Sequence, residues 1–111
     1  MSLLVQLEFR AKPACEPEFL RVARALAAAA ATEPETLRYQ WFATAKPGHY
    51  TILEEYVDAD AAEAHNNRQA ALLGEFFAVA ELVSAAFYGE LNQYIRDWVT
   101  GRDGITVNTP L

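Results

Sequence analysis

Three side chains of different acid strength stand close together in this 111-residue chain: Glu54, Tyr56 and His65. If residues 49–57 form a strand, Glu54 and Tyr56 point to the same side, because successive strand side chains alternate. If the residues after Asp58 form a helix, Ala61 and His65 stack on one of its faces, being four apart. With that face toward the sheet, all four line one space, and a carboxyl, a phenol and an imidazole together are equipped for general acid–base chemistry. Other constellations are missing from the sequence: it has no Gly-rich phosphate loop, no Cys or His cluster at metal-ligand spacing and no nucleophile elbow. Each candidate also has a plainer use. His65 can end a helix and bond a carbonyl, and Glu54 can pair with Arg38 across a hairpin. Trp41, Phe76 and Phe77 recur at the spacings from which cores are made. His49, beside a turn, reads as solvated, and Asn66 and Asn67 are accounted for by helix capping. Cys15 precedes Glu16 and Glu18, whose charge disfavours a thiolate.

The elements that must position these residues follow from periodicity. Leu3, Val5, Leu7 and Phe9 alternate with Leu4, Gln6, Glu8 and Arg10, which predicts a strand with one face against a core. Pro17, flanked by Glu16 and Glu18, suits the start of a helix, and Phe19, Val22, Ala23, Leu26, Ala27 and Ala30 continue it until Thr32-Glu33-Pro34. Residues 36–44 are rich in aromatic and β-branched types, and Lys46-Pro47-Gly48 offers Pro then Gly for a type II turn into a second arm, 49–57. Asp58 caps a short helix that stops near His65-Asn66-Asn67. A second helix follows, with Leu72, Leu73, Phe76, Phe77, Ala80 and Val83 as its apolar stripe, and then a fourth strand over 84–91. In residues 92–111, Tyr94, Ile95, Trp98 and Val99 make one short apolar helical face with Gly101 as its stop, and 105–109 reads as an extended edge segment.

This order is the β-α-β-β-α-β unit of the ferredoxin-like α+β class, in which helices cover one face of a four-stranded antiparallel sheet. Apolar residues on both strand faces require a second cover, so a homodimer closing into a dimeric α+β barrel is expected. Residues 1–91 form the domain on this reading. Residues 92–111 are a C-terminal extension docked on it or on the partner subunit.

The segment from Glu54 to His65, read as Glu-x-aromatic-x-acid-x-x-Ala-x-x-x-His and followed by Phe76-Phe77, resembles the antibiotic biosynthesis monooxygenase domain family, which includes small quinol monooxygenases. In element order the likeness runs from about Leu3 to Leu91. It implies a dimeric barrel using no metal, flavin or haem, which lets an electron-rich phenol or quinol react with oxygen. The protein's share would be to bind the aromatic, deprotonate it and stabilise the resulting anion. On this resemblance His65 is the base or anion partner, Glu54 and Tyr56 orient it, and Tyr39, Trp41, Phe76 and Phe77 shape the pocket. Haem-degrading members rely on a first-strand Asn together with a Trp and a His. This chain has no Asn before Asn66, so Trp41 and His65 do not complete that set.

A formal net charge of −6 leaves no basic surface for a phosphate backbone or an anionic leaflet, which argues against nucleic acid and membrane partners. Cys15 is the only cysteine, so no internal disulfide forms and a cytoplasmic location is the default. The N-terminal residues lack a basic n-region and reach polar side chains too early for a signal peptide. The rival to an oxidoreductase is a non-catalytic barrel that binds a small ligand or regulates, since fold alone does not fix function.

Overall fold

Leu3, Val5, Leu7 and Phe9 leave the first strand on one side, and the helices are arranged to cover them. The computed structural model describes residues 2–111. Its elements are β1 (Leu3–Ala11), α1 (Glu16–Ala30), β2 (Thr36–Ala43), β3 (His49–Tyr56), α2 (Ala59–Arg68), α3 (Ala70–Val79), β4 (Ala80–Tyr88), α4 (Gln93–Val99) and β5 (Ile105–Asn108). The strands lie in the order β2-β3-β1-β4-β5. The first four pair antiparallel, as the α+β unit requires, and β5 adds to the outer edge of β4 in parallel, so the sheet is mixed.

The local signals act as the chemistry of each residue dictates. Pro17 lies in the first turn of α1, whose Phe19, Val22 and Leu26 are fully buried. Gly48 takes a φ of 76°, and the His49 amide donates to the Lys46 carbonyl at 3.1 Å, which closes the type II turn between β2 and β3. Asp58 caps α2 by accepting from the Ala61 amide at 2.8 Å.

Three expectations are corrected. Ala80 and Val83 belong to β4, not to the helical stripe, and the strand ends at Tyr88 rather than 91. The reason is a bulge: Glu8 faces Ser84 and Phe9 faces Leu82, so Val83 is an extra residue. The inward face therefore passes from the even positions Ala80 and Leu82 to the odd positions Ala85 and Phe87, and simple alternation is broken where the strand begins. At its other end Gly89, with φ 133°, turns the chain so close to β1 that a Cβ would sit 2.8 Å from the Ser2 carbonyl. His49 is also buried rather than solvated, its Nδ1 bonded to Glu8 Oε2 at 2.8 Å across the neighbouring strand.

The core has two halves. Phe9, Phe19, Leu26, Ile52 and Phe76 pack under α1 and α3, and Leu3, Val5, Tyr56, Phe87 and Ile95 pack under α2 and α4. Leu7 packs against both. Among the described residues no helix lies over the opposite face of the sheet, which carries Leu4, Leu53, Ala86 and the exposed Phe42 and Tyr88 together with Gln6, Glu8, Gln40 and Thr51.

Candidate active site

The two halves of the core do not meet completely, and a cavity of about 230 Å³ remains between sheet and helices. Glu54, Tyr56, His65, Tyr39, Trp41, Phe76 and Phe77 all line it. So does Ala62, which takes the place beside His65 that the sequence suggested for Ala61; Ala61 is buried in the core instead. Tyr94, Ile95 and Trp98 of α4 complete the wall. That helix is fixed over the cavity by Asn92, whose side chain accepts from the Ile95 amide at 3.0 Å and donates to Asp60 at 2.8 Å and Glu63 at 3.0 Å on α2.

Strand register explains why a carboxyl stands inside. Glu54 lies opposite Val5 on one side and Tyr39 on the other, all on the face toward the helices. Arg38 lies opposite Glu55, so the cross-hairpin ion pair to Glu54 does not form. Glu54 accepts instead from the Tyr56 hydroxyl, two residues on along the same strand face. Burial pushes the Glu54 carboxyl up from its ordinary range, against the opposing effects of that hydrogen bond and of His65. Burial, reinforced by Glu54, pushes the Tyr56 hydroxyl far up as well, and Tyr39 is raised by burial and by the charges of Glu54 and Glu33. Both phenols are therefore donors, not phenolates, across the ordinary pH range.

His65 is 1% exposed and has a partner that the sequence did not suggest. Its Nδ1 lies 2.6 Å from Glu33 Oε1, a buried carboxylate that follows the end of α1. Glu33 also accepts from Thr36 Oγ1 at 2.9 Å, Arg68 Nε at 3.0 Å and Gln69 Nε2 at 3.2 Å. Burial alone would raise this carboxyl, but the four donors outweigh it, His65 first, and hold it down at about 2. An ionised Glu33 accepts a hydrogen bond from Nδ1–H, so in the neutral ring Nε2 is the lone-pair nitrogen, and the ring lines the cavity. Tyr39 and Tyr56 flank that ring, with centroids 5.3 and 5.6 Å away. In the sequence Glu33 was visible only as part of a helix-ending Thr-Glu-Pro. The clue it did offer is a carboxylate just past a helix C-terminus, where the dipole is unfavourable and a set of donors must compensate.

The other end of the cavity is aromatic. Trp41 stands within 5.6–6.1 Å of Phe9, Phe19 and Phe76, measured between ring centroids. Its indole Nε1 is the one buried side-chain polar atom without a hydrogen-bond partner among the described residues. A buried donor left unpaired costs free energy unless something else accepts from it. Among the described residues no cluster of three or more His, Cys, Asp or Glu side chains is placed to hold a metal ion, and no helix is long and apolar enough to cross a membrane.

Comparison with other proteins agrees with this architecture. The profile of the family described as antibiotic biosynthesis monooxygenase matches residues 2–73. Curated protein sequences give no match. Among solved structures, MupZ from Pseudomonas fluorescens superposes with a TM-score of 0.76 at 17% identity, covering 99% of this chain and 90% of its own. A candidate antibiotic biosynthesis monooxygenase from Caulobacter crescentus gives 0.66 at 27% identity, covering 78% and 84%. SnoaB from Streptomyces nogalater, a cofactor-independent oxygenase, gives 0.69 at 16% identity, covering 83% and 95%. The likeness to MupZ thus spans the C-terminal helix and strand as well, while the other two cover less of the chain.

Proposed function

The chain belongs to the antibiotic biosynthesis monooxygenase family, and from that premise we propose that it is a cofactor-independent monooxygenase acting on a small aromatic or quinol within the 230 Å³ cavity. The observation that carries this reading is buried His65, which lines a cavity with largely apolar walls while its Nδ1 is bonded to Glu33 behind it. His65 Nε2 removes a proton from the bound aromatic. Glu33 stabilises the imidazolium that forms, in the manner of a carboxylate behind a catalytic histidine. The substrate anion then supplies electrons to oxygen. For an anthrone, the methylene carbon takes one oxygen atom and becomes a carbonyl, while its two hydrogens leave with the other oxygen atom as water. Glu54 and Tyr56 form the donor pair next to the developing charge, and Tyr39, Trp41, Phe76 and Phe77 hold the ring plane. An acceptor oxygen on the substrate gives the Trp41 Nε1–H its missing partner. SnoaB, a cofactor-independent oxygenase of similar fold, supports an assignment without metal or flavin.

The proposed assembly is a cytoplasmic homodimer. Leu4, Phe42, Leu53 and Tyr88 lie among polar residues on a sheet face that no helix of the described residues covers, and a second copy supplies the layer that buries these apolar side chains. Residues 92–111 are taken as an addition to the 1–91 unit that closes the cavity through Tyr94, Ile95 and Trp98. Oxygen uptake with a panel of hydroquinones and anthrones tests the reaction. Uptake that disappears in His65→Ala is the expected result, and no uptake from any member of the panel overturns it.

A further inference from the structure

Two hydrogen-bonded pairs stand in the cavity wall or directly behind it, His65 with Glu33 and Tyr56 with Glu54, and neither pair needs oxygen to act. Glu33 holds the Nδ1 proton of His65, so Nε2 is a base. Tyr56 and Glu54 share a hydrogen bond on the adjoining strand, so together they are a buried donor. We propose that this cavity also catalyses an oxygen-independent reaction: proton transfer next to the carbonyl of a small apolar ketone, with His65 Nε2 as base and the Tyr56 hydroxyl as donor to the carbonyl oxygen.

The geometry carries this in three respects. An α-carbon and its carbonyl oxygen are two bonds apart, and the Tyr56 and His65 rings, with centroids 5.6 Å apart, can reach both in one pose. The walls on either side are apolar, from Val5 and Leu7 on the sheet to Phe76 and Trp98 on the helices, so a charge that forms on oxygen has the protein's donors rather than water to stabilise it. The Tyr56 hydrogen now rests on Glu54. When Glu54 carries its own proton it donates to the Tyr56 oxygen instead and frees the Tyr56 hydrogen for the ligand, and burial favours that neutral carboxyl.

The step balances without a co-reactant. The C–H bond breaks and its electron pair becomes the C=C bond of the enolate. The carbonyl π pair moves onto oxygen, held there by Tyr56. The proton sits on His65 Nε2, where Glu33 balances its charge. It returns to the same carbon, which gives exchange with solvent, or in a β,γ-unsaturated ketone to the γ-carbon, which moves the double bond into conjugation. Nothing is oxidised or reduced.

The test is deuterium incorporation into 2-tetralone in D₂O under argon, followed by proton NMR with the full chain. Exchange faster than in buffer by about 10²-fold or more is expected, the range a positioned base supplies. In His65→Ala it falls to the buffer rate. Because that variant leaves Glu33 short of a partner, Tyr56→Phe is the second probe: it keeps the ring and lowers the rate at least about tenfold, the loss of one donor hydrogen bond. Exchange no faster than an equal concentration of free imidazole overturns the proposal, as does an unchanged rate in folded Tyr56→Phe. The outcome is separable from the monooxygenase reading. Oxygen uptake in air without anaerobic exchange defeats this proposal alone, and anaerobic exchange without oxygen uptake defeats the other alone.

Discussion

Glu33 and His65, 32 positions apart in the sequence, are joined inside the protein by a 2.6 Å hydrogen bond from Nδ1 to Oε1. Glu33 does not line the cavity and is a positioning residue: its bond to Nδ1 fixes which imidazole nitrogen is free. Glu33→Gln keeps the size of the side chain and offers His65 either an amide oxygen or an amide donor, so the ring tautomer is no longer dictated. The expected result is a fall in kcat of about 10²-fold or more with little change in KM. A proportional rise in KM with kcat intact would show that Glu33 shapes binding instead.

The same carboxylate makes stability depend on pH. Its native value of about 2 lies below the ordinary 4.5, so the native state binds the proton less readily than the unfolded chain. The stabilisation is therefore fully present above pH 5 and is lost as pH falls from there toward 2. Its size is on the order of 3 kcal/mol for a displacement of this extent. Urea unfolding at pH 7 and pH 3 should show that loss in the parent chain and a clearly smaller one in Glu33→Gln. Equal pH sensitivity in both would place the acid-labile interaction elsewhere.

The helix-covered architecture and the residue sets on the two faces of β1 and β3 were legible because alternation there is unbroken: Leu3 to Phe9 and Tyr50 to Tyr56 each keep one parity throughout, while only the pairing with β1 decides which face of β3 turns inward. The start of β4 was not, since the bulged Val83 switches parity midway and the first half of the strand then looks like the end of a helix. Within the site, Glu54, Tyr56 and His65 were singled out by the family resemblance, and strand and helix spacing allowed them to share one space. Glu33 could not be found that way, because its link to His65, Arg68 and Gln69 is set by how the segment after α1 meets α2, which no local period encodes. The unpaired Trp41 Nε1 is likewise a tertiary fact: only the surroundings reveal that the strand's indole has no acceptor.

Trp41 gives a prediction in which stability and binding part company. Trp41→Phe removes the unpaired N–H while keeping an aromatic ring among Phe9, Phe19 and Phe76. Stability should change by no more than about 1 kcal/mol, because the lost bulk is offset by removal of an unsatisfied donor. Affinity for an oxygenated aromatic such as 1,4-naphthoquinone, followed by tryptophan fluorescence, should fall about tenfold, the worth of one hydrogen bond. Unchanged affinity would mean that no ligand oxygen reaches this end of the cavity.

Leu53 probes the assembly. It stands on the central part of the sheet face that no helix covers, in register with Gln6 and Gln40 on the neighbouring strands. Arginine there leaves the cavity untouched but puts a charge where a second copy would pack, and two such charges would meet across the twofold. Sedimentation should give a dimer for the parent chain and a monomer for Leu53→Arg at the same micromolar concentration. A parent chain that sediments as a monomer would remove the barrel from the proposal.

Trp98 tests whether the C-terminal helix belongs to the site. It packs edge-on to Phe87 at 5.9 Å between ring centroids, lies under the Arg102 guanidinium at 4.3 Å and lines the cavity beside Tyr94 and Ile95. Its removal therefore acts on two properties through one side chain. Trp98→Ala should cost about 3 kcal/mol in urea unfolding, at the lower end for a large aromatic because the ring is only partly buried. It should also raise KM more than it lowers kcat, since the base and donor pairs on α2 and β3 stay in place while one wall of the cavity opens. Stability lost with KM unchanged would make α4 a structural cover alone. KM raised with stability unchanged would mean that the helix is held by Asn92 and Ile95 without help from the indole.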